Sequence, residues 1–269
     1  MNSLITSRQH PLCKTVRALH SGAGRKKHGL FLAEGGNAVA SALRARWALR
    51  ELLVAPDDEG REWSELARES GIETRFVAHE ILEYLGEAQT SPGVLALAQL
   101  PAQWKARDSS IETSAFGDGL TLVLDGIGDP GNVGTLLRSA DAAGASGALL
   151  MPNSADPFGS KAVRASAGSV FHLPLYMSTH AGAQDQLKRV AVPLVVAVAH
   201  DGQDCFSCSW PLRCALVLGH ETRGVSPEME SAAAMRVTIA MSGRAESLNV
   251  AAAGAVLLFA WRQATRRAL

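Results

Sequence analysis

The sequence predicts an α/β protein in two parts, a small N-terminal α/β domain and a C-terminal α/β domain on a parallel sheet. Three observations carry this expectation. Short apolar runs of strand length alternate with helix-like segments along the chain. The stretch PAQWKARDSSIETSAFGDG (101–119) loses periodicity and gathers Ser, Thr, Asp and Gly, which marks a linker. With 269 residues, 47% of them hydrophobic, the chain is long enough to bury two cores. The expected boundaries are residues 1–101, a linker at 102–118 and residues 119–269.

In the first part the elements follow in order. A basic helix over 11–20 leads to the strand LFLAE (30–34), a helix over 37–46, the strand ELLVAP (51–56) and a helix around 62–69. The strand TRFV (74–77), a short helix at 80–85 and the strand VLALAQ (94–99) close it. In the second part buried-type strands recur as LTLVLD (120–125), ASGALLM (145–151), VPLVVAVA (192–199), CALVLG (214–219) and MRVTIAM (235–241), with helical stretches between. Such continuous apolar runs suit a parallel sheet covered on both faces. Ligands on sheets of this kind gather at the carboxyl ends of the strands.

Charge is balanced overall, with 26 basic and 26 acidic residues, but unevenly placed. Residues 1–50 hold nine basic residues against Glu34 alone, whereas residues 51–107 hold five against eleven acids. The basic start predicts a phosphate-facing side, and the acidic stretch reads as ordinary solvated helix faces. The acid-free, Arg- and Ser-containing start also resembles an organellar leader, but Pro11 and the polar run break any long amphipathic helix, so it is expected to belong to the mature protein. The longest apolar run, 250–261, falls short of a membrane span, so the expected location is cytoplasmic and no membrane partner is expected. Cys13, Cys205, Cys208 and Cys214 are too few for a disulfide framework. Cys205 and Cys208 with His200 and Cys214 could form a zinc set, but no second C-x-x-C exists and Cys214 opens an apolar strand. No metal is expected.

The stretch LDGIGDPGNVG (124–134) fits G-x-G-x-x-G through Gly126, Gly128 and Gly131, the pattern of a dinucleotide cradle. Two requirements fail. Pro130 removes a backbone N–H from the cradle, and the next strand ends in Leu150-Met151-Pro152-Asn153 without an acid for a ribose. This counts against a nicotinamide-dependent oxidoreductase. Another grouping fits better: Asp125 at a strand end, a tight turn at Asp129-Pro130-Gly131, and Asn132 placed to cap a helix over 133–143. Arg138 lies six residues past Asn132, off its face of that helix, and must reach back to share a site. Further on come His220-Glu221, an Arg223-Gly224 turn and Ser226-Pro227 as a capped helix start. Ser247, Leu248 and Asn249 then sit between a strand and an apolar C-terminal helix, with Ser247 a candidate cap and Asn249 a first-turn residue.

Three segments in this order carry a family likeness. LVLDGIGDPGNVGTLLRSADAAGA, LVLGHETRGVS and TIAMSGRAESLNVAAAGAVLLF resemble the three signature motifs of the SpoU (TrmH-type) RNA ribose 2′-O-methyltransferases, within the SPOUT superfamily. KAVRASAGSVFHLPL between them also looks family-like, and the likeness covers about residues 118–262. The N-terminal ITSRQHPLCKTVRAL and HGLFLAEGGNAVASAL are similar to the ribosomal-protein-like RNA-binding domain of rRNA-modifying members. The resemblance implies a deep trefoil knot, a homodimer through the C-terminal domain, S-adenosylmethionine as cofactor and RNA as substrate. Ribosomal RNA of 23S type is favoured over tRNA; a non-catalytic RNA-binding protein on the same fold is the remaining alternative.

By the same resemblance Ala199, Leu218, Gly219, Ile239, Met241, Leu248 and Asn249 would line the donor site, and Arg138, Asn132, Glu221, Ser247 and Asn249 would form the catalytic set. Family proposals make Arg138 the general base. Neutralising a guanidinium at pH 7 costs about 8 kcal/mol, from ~1.36 kcal/mol per unit over roughly six units. The expected role of Arg138 is therefore to orient phosphate and hydroxyl and stabilise the developing alkoxide. His220 and Thr222 depart from the family pattern, which usually has asparagine and glycine there, so the local loop geometry is in question. For RNA phosphates the candidates are Arg8, Lys14, Arg17, Arg25, Lys26 and Lys27, with Arg164 nearer the reacting nucleotide.

Overall fold

The computed structural model describes residues 4–87, 93–102, 104 and 117–266. By contacts the chain forms two units, Met1–Lys105 with Asp156–Phe171, and Ala106–Ala155 with His172–Leu269. The first unit thus recruits 156–171, which the expected boundaries assigned to the C-terminal domain. Of the expected linker, only 102, 104, 117 and 118 fall among the described residues.

The first unit runs α1 (Pro11–Leu19), α2 (Gly22–His28), β1 (Leu30–Glu34), α3 (Gly36–Arg44), β2 (Leu49–Val54), α4 (Asp58–Glu69), β3 (Glu73–Phe76), α5 (His79–Leu85) and β4 (Val94–Gln99). Its sheet has the order β1-β4-β2-β3, with β4 antiparallel to both neighbours and β2 parallel to β3. The helix α2, absent from the expectation, is too polar to show apolar periodicity; Ser21 caps it through a 3.0 Å bond from the Gly24 amide and Gly29 ends it at φ 64°. One face of the sheet buries Leu30, Leu32, Leu95 and Leu97 with Val16, Leu19, Ile81 and Leu82.

Segment 156–171 returns to this unit, where its short helix Ser160–Ala165 packs on β1. Phe158 and Phe171 bring their rings 4.8 and 5.9 Å from that of Phe31, with Trp47 completing the cluster. Two buried charges are neutralised in the same place. Arg25, 6% exposed, gives Nε and Nη2 to Asp156 Oδ2 at 2.9 and 2.6 Å and Nη1 to the carbonyls of Leu19 and His20. Glu34, also 6% exposed, receives Arg164 Nη1 at 2.7 Å. Burying either charge without its partner would be costly, so these pairs fix the segment's register on the sheet.

The second unit is a seven-stranded sheet in the order β7-β6-β5-β10-β8-β11-β9, parallel throughout. The strands are β5 (Leu120–Asp125), β6 (Gly147–Leu150), β7 (Leu175–Met177), β8 (Leu194–Ala197), β9 (Gln203–Asp204), β10 (Cys214–Gly219) and β11 (Met235–Thr238). The five expected strands are present; β7 and β9, two or three residues long, are too short to show a period. Its helices are α6 (Pro130–Ala143), α8 (His180–Arg189), α9 (Pro227–Ser231) and α10 (Val250–Arg266), while the Ser160–Ala165 helix of the first unit is α7.

The start of α6 corrects one expectation. Asp129, not Asn132, is its cap: Asp129 Oδ1 accepts the Asn132 amide at 3.0 Å and Pro130 takes the first helical position. This frees the Asn132 side chain. α10 lies against α6 and β10 so closely that a Cβ at Gly254 would collide with Leu136 and Leu218. The sheet order reverses between β5 and β10, so the open crevice lies outside the carboxyl ends of the central strands.

Candidate functional site

Three loops leave the carboxyl ends of neighbouring strands and enclose a cleft of about 600 Å³. After β8 come Val198, Ala199 and His200; after β10 come His220, Glu221 and Thr222; after β11 come Ile239, Met241 and 246–249, with the start of α10 as the remaining wall. All seven residues expected around a donor, Ala199, Leu218, Gly219, Ile239, Met241, Leu248 and Asn249, line it. Met241 and Leu248 are 38% and 40% exposed, an apolar surface that stays wet unless something fills the cleft. Gly219 is needed by packing: a Cβ there would run into the backbone of Gly224 and Val225, where the loop folds back. Gly224, at φ +72°, makes that return, and its N–H and C=O pair with His220.

A chain of side-chain hydrogen bonds joins the three motif segments beside this cleft. Asn249 caps α10, its Oδ1 accepting the Ala251 amide at 2.9 Å. It is therefore the helix cap rather than a first-turn residue, and Ser247, exposed on the cleft wall, is not. With Oδ1 committed, Asn249 Nδ2 donates to Asn132 Oδ1 at 3.3 Å, and Asn132 Nδ2 donates to Glu221 Oε1 at 2.9 Å. Each amide orientation follows from the next, because a backbone N–H only donates and an ionised carboxylate only accepts.

Beneath this chain, Asp125 at the tip of β5 is buried, 4% exposed. Its Oδ2 accepts the Ser226 amide at 2.7 Å and its Oδ1 lies 2.9 Å from His180 Nε2, which donates to it. Asp125 thereby pins the far end of the loop that carries Glu221. The Ser226 hydroxyl does not cap α9, contrary to the capped start expected there; the residue's contribution is its amide. His180 was not singled out from the sequence. It sits 55 residues from Asp125 at the head of α8, and no local signal marks such a contact.

The glycines of 126–131 serve geometry. Gly126, at φ +74°, turns the chain out of β5 and gives its N–H to Ser154 Oγ at 3.0 Å, while Gly131 lies in the first turn of α6. Arg138 is exposed on α6, with no hydrogen bond or ion pair among the described residues, and it does not line the cleft. The structure therefore brings Asn132, Glu221 and Asn249 together and leaves Arg138 outside the group.

Among the phosphate candidates, Arg8, Lys14, Arg17, Lys26 and Lys27 are exposed. The guanidiniums of Arg8 and Arg17 lie 4.7 and 5.0 Å from the centre of the Tyr84 ring, which orders both. Arg25 is not available to a phosphate: it is buried and its guanidinium is consumed by Asp156 and two carbonyls. Arg164 is tied to Glu34 in the first unit. Burial pushes the Cys205 thiol up to about 11, helped by Asp204 and Cys208, and the Cys214 thiol up to about 12, so both stay protonated at neutral pH. Among the described residues no group of three or more His, Cys, Asp and Glu could hold a metal ion. None of the helices among them is long and apolar enough to cross a membrane.

Residues 119–259 match the model of the SpoU rRNA Methylase family, and residues 10–96 match the MRM3-like substrate binding domain. The chain is 30% identical to the 23S rRNA (guanosine(2553)-2′-O)-methyltransferase RlmP of Bacillus subtilis, over 95% of this chain and 97% of that protein. It is 32% identical to the 23S rRNA (uridine(2479)-2′-O)-methyltransferase of Streptomyces viridochromogenes, over 95% and 90%. The crystal structure of an AdoMet-bound rRNA methyltransferase from Sinorhizobium meliloti aligns with a TM-score of 0.82 at 26% identity, covering 97% of each chain.

Proposed function

The chain belongs to the SpoU rRNA methylase family, and on that premise we propose that it is an S-adenosylmethionine-dependent RNA ribose 2′-O-methyltransferase acting on 23S-type rRNA in the cytoplasm. The observation that carries the reading is the hydrogen-bonded chain Asn249–Asn132–Glu221 at the edge of the cleft. S-adenosylmethionine supplies an electrophilic methyl group on a sulfonium. The cleft suits such a molecule: its volume is that of a cofactor pocket, its walls at Leu218, Ile239, Met241 and Leu248 are apolar, and Glu221 and Glu246 offer negative charge to a cation.

The chain's own residues then have distinct tasks. Asn132 Oδ1 accepts one bond from Asn249, and its second lone pair remains to orient the ribose hydroxyl. Glu221, engaged by Asn132, fixes that amide rather than taking the proton. Arg138, with no partner among the described residues, is an exposed cation for the phosphate and for alkoxide charge as it develops. Arg8, Arg17, Lys14, Lys26 and Lys27 hold the RNA backbone electrostatically. A homodimer through the C-terminal unit, with that unit knotted, completes the reading. Support for the dimer comes from α10, where Ala252, Val256 and the 49% exposed Phe259 share one side, spaced as helix neighbours.

The test is to map reverse-transcription stops at low nucleotide concentration in rRNA from cells with and without the gene. A single gene-dependent stop in 23S rRNA, restored in vitro by the purified chain with S-adenosylmethionine, is expected. No gene-dependent stop in rRNA, or methylation of tRNA alone, refutes the assignment to rRNA.

A further inference from the structure

The loop 219–224 carries an unusual turn. His220 Nδ1 lies 3.1 Å from the Thr222 amide and 3.2 Å from the Thr222 hydroxyl. A backbone N–H can only donate, so Nδ1 must be the acceptor, which fixes the ring as the neutral tautomer with its proton on Nε2. An acceptor one bond beyond Cγ bonding the amide two residues on is the geometry of an Asx turn, built here with an imidazole. The residue enclosed by the turn is Glu221, whose Oε1 is held by Asn132 and whose Oε2 stands 3.9 Å from the same Nδ1. The backbone of His220 is meanwhile fixed by its paired bonds with Gly224.

We propose that His220 is a positioning residue, which in its neutral form closes the turn and aims Glu221 at Asn132, and which releases Glu221 when protonated. The proposal deepens the methyltransferase reading and rests on it. A proton on Nδ1 removes the acceptor for the Thr222 amide. It also places a charged N–H opposite Glu221 Oε2, where it competes with Asn132 for the carboxylate. The other ionisable groups around the loop do not substitute for it. Asp125 on β5 is bound by His180 and the Ser226 amide, and Asp129 before α6 by the Asn132 amide. His200 after β8 and Glu246 before α10 stand on other walls of the cleft, and Arg223 is exposed on the loop itself. Among the described residues only Glu221 brings a carboxylate within ion-pair distance of the His220 ring.

Asparagine can make the same turn but cannot titrate, which provides the test. Wild type, His220→Asn and His220→Ala are compared for calorimetric binding of S-adenosylmethionine and for kcat/KM of methyl transfer from pH 5.5 to 8.5. At the alkaline end His220→Ala should fall about tenfold, the worth of one turn hydrogen bond, and His220→Asn should recover most of that loss. Towards acid, wild type should lose about as much kcat/KM as His220→Ala does, roughly tenfold, and then level off, and His220→Asn should lack that limb. Full activity in His220→Ala, or the same acid limb in His220→Asn, overturns the proposal. Nitrogen NMR of the wild-type ring is a second measurement independent of the variants' folding. A proton on Nδ1 at pH 8 overturns the turn; an unprotonated Nδ1 supports it even if no donor binding is found, an outcome that would instead sink the proposed activity.

Discussion

Asn249 performs two jobs with two different atoms, and substitution can separate them. Its Oδ1 caps α10 by accepting the amides of Ala251 at 2.9 Å and Ala252 at 3.4 Å; its Nδ2 holds Asn132. Asn249→Ala removes both. Loss of the cap should cost about 1 kcal/mol, within the range of roughly 0.5–2 for such changes, and lower Tm by about 2–4 °C for a chain of this size. Asn249→Asp keeps a capping oxygen and adds a negative charge at a helix start, so its stability should stay within about 0.5 kcal/mol of wild type. The aspartate has no donor for Asn132 Oδ1, however, and faces it with an oxygen. Losing that bond and gaining a repulsive contact should cost about 1.5–3 kcal/mol of transition-state stabilisation, or roughly ten- to a hundredfold in kcat/KM. Urea unfolding and transfer of labelled methyl groups to 23S rRNA measure the two quantities. The reasoning fails if Asn249→Asp is as unstable as Asn249→Ala, or if it methylates as wild type does.

Two other outcomes follow from buried groups. Asp156→Ala strands the buried Arg25 guanidinium, which retains only the Leu19 and His20 carbonyls. With Asp156 32% exposed, the cost should be about 2–3 kcal/mol, below the roughly 3–5 of a fully buried pair, and Arg25→Met should cost less; urea unfolding of the three proteins checks this, and equal midpoints for wild type and Asp156→Ala refute it. Burial holds the Cys214 thiol up at about 12 against an ordinary 9.0. A raised pKa favours the neutral thiol in the native state, so its contribution is complete below pH 9 and declines as pH rises towards 12. At pH 10.5 the loss should be about 2 kcal/mol, at ~1.36 kcal/mol per unit, and Cys214→Ala should abolish that part of the alkaline decline in urea midpoints.

What the sequence determined by itself was the order of elements and the set of chemical groups. LTLVLD and CALVLG are continuous apolar runs, legible because a strand buried on both faces leaves no polar alternation, and both match β5 and β10 residue for residue. The donor-lining candidates came from motif likeness, and the strand ends that bring them to one cleft are a consequence of parallel order. Tertiary structure decided the rest. The choice of Asp129 over Asn132 as cap is made by a three-residue offset that either side chain could satisfy on paper, and it leaves Asn132 free to bridge Glu221 and Asn249. Arg25 looked like a phosphate ligand because charge pattern records residue type but not burial; Asp156, 131 positions away, makes it structural. Likewise the pairing of Asp125 with His180, and the proton on His220 Nε2, depend on which atoms meet across the fold. Hydrophobic periodicity is local and survives in one dimension, whereas hydrogen-bond partners are fixed only when distant backbone segments are brought within about 3 Å.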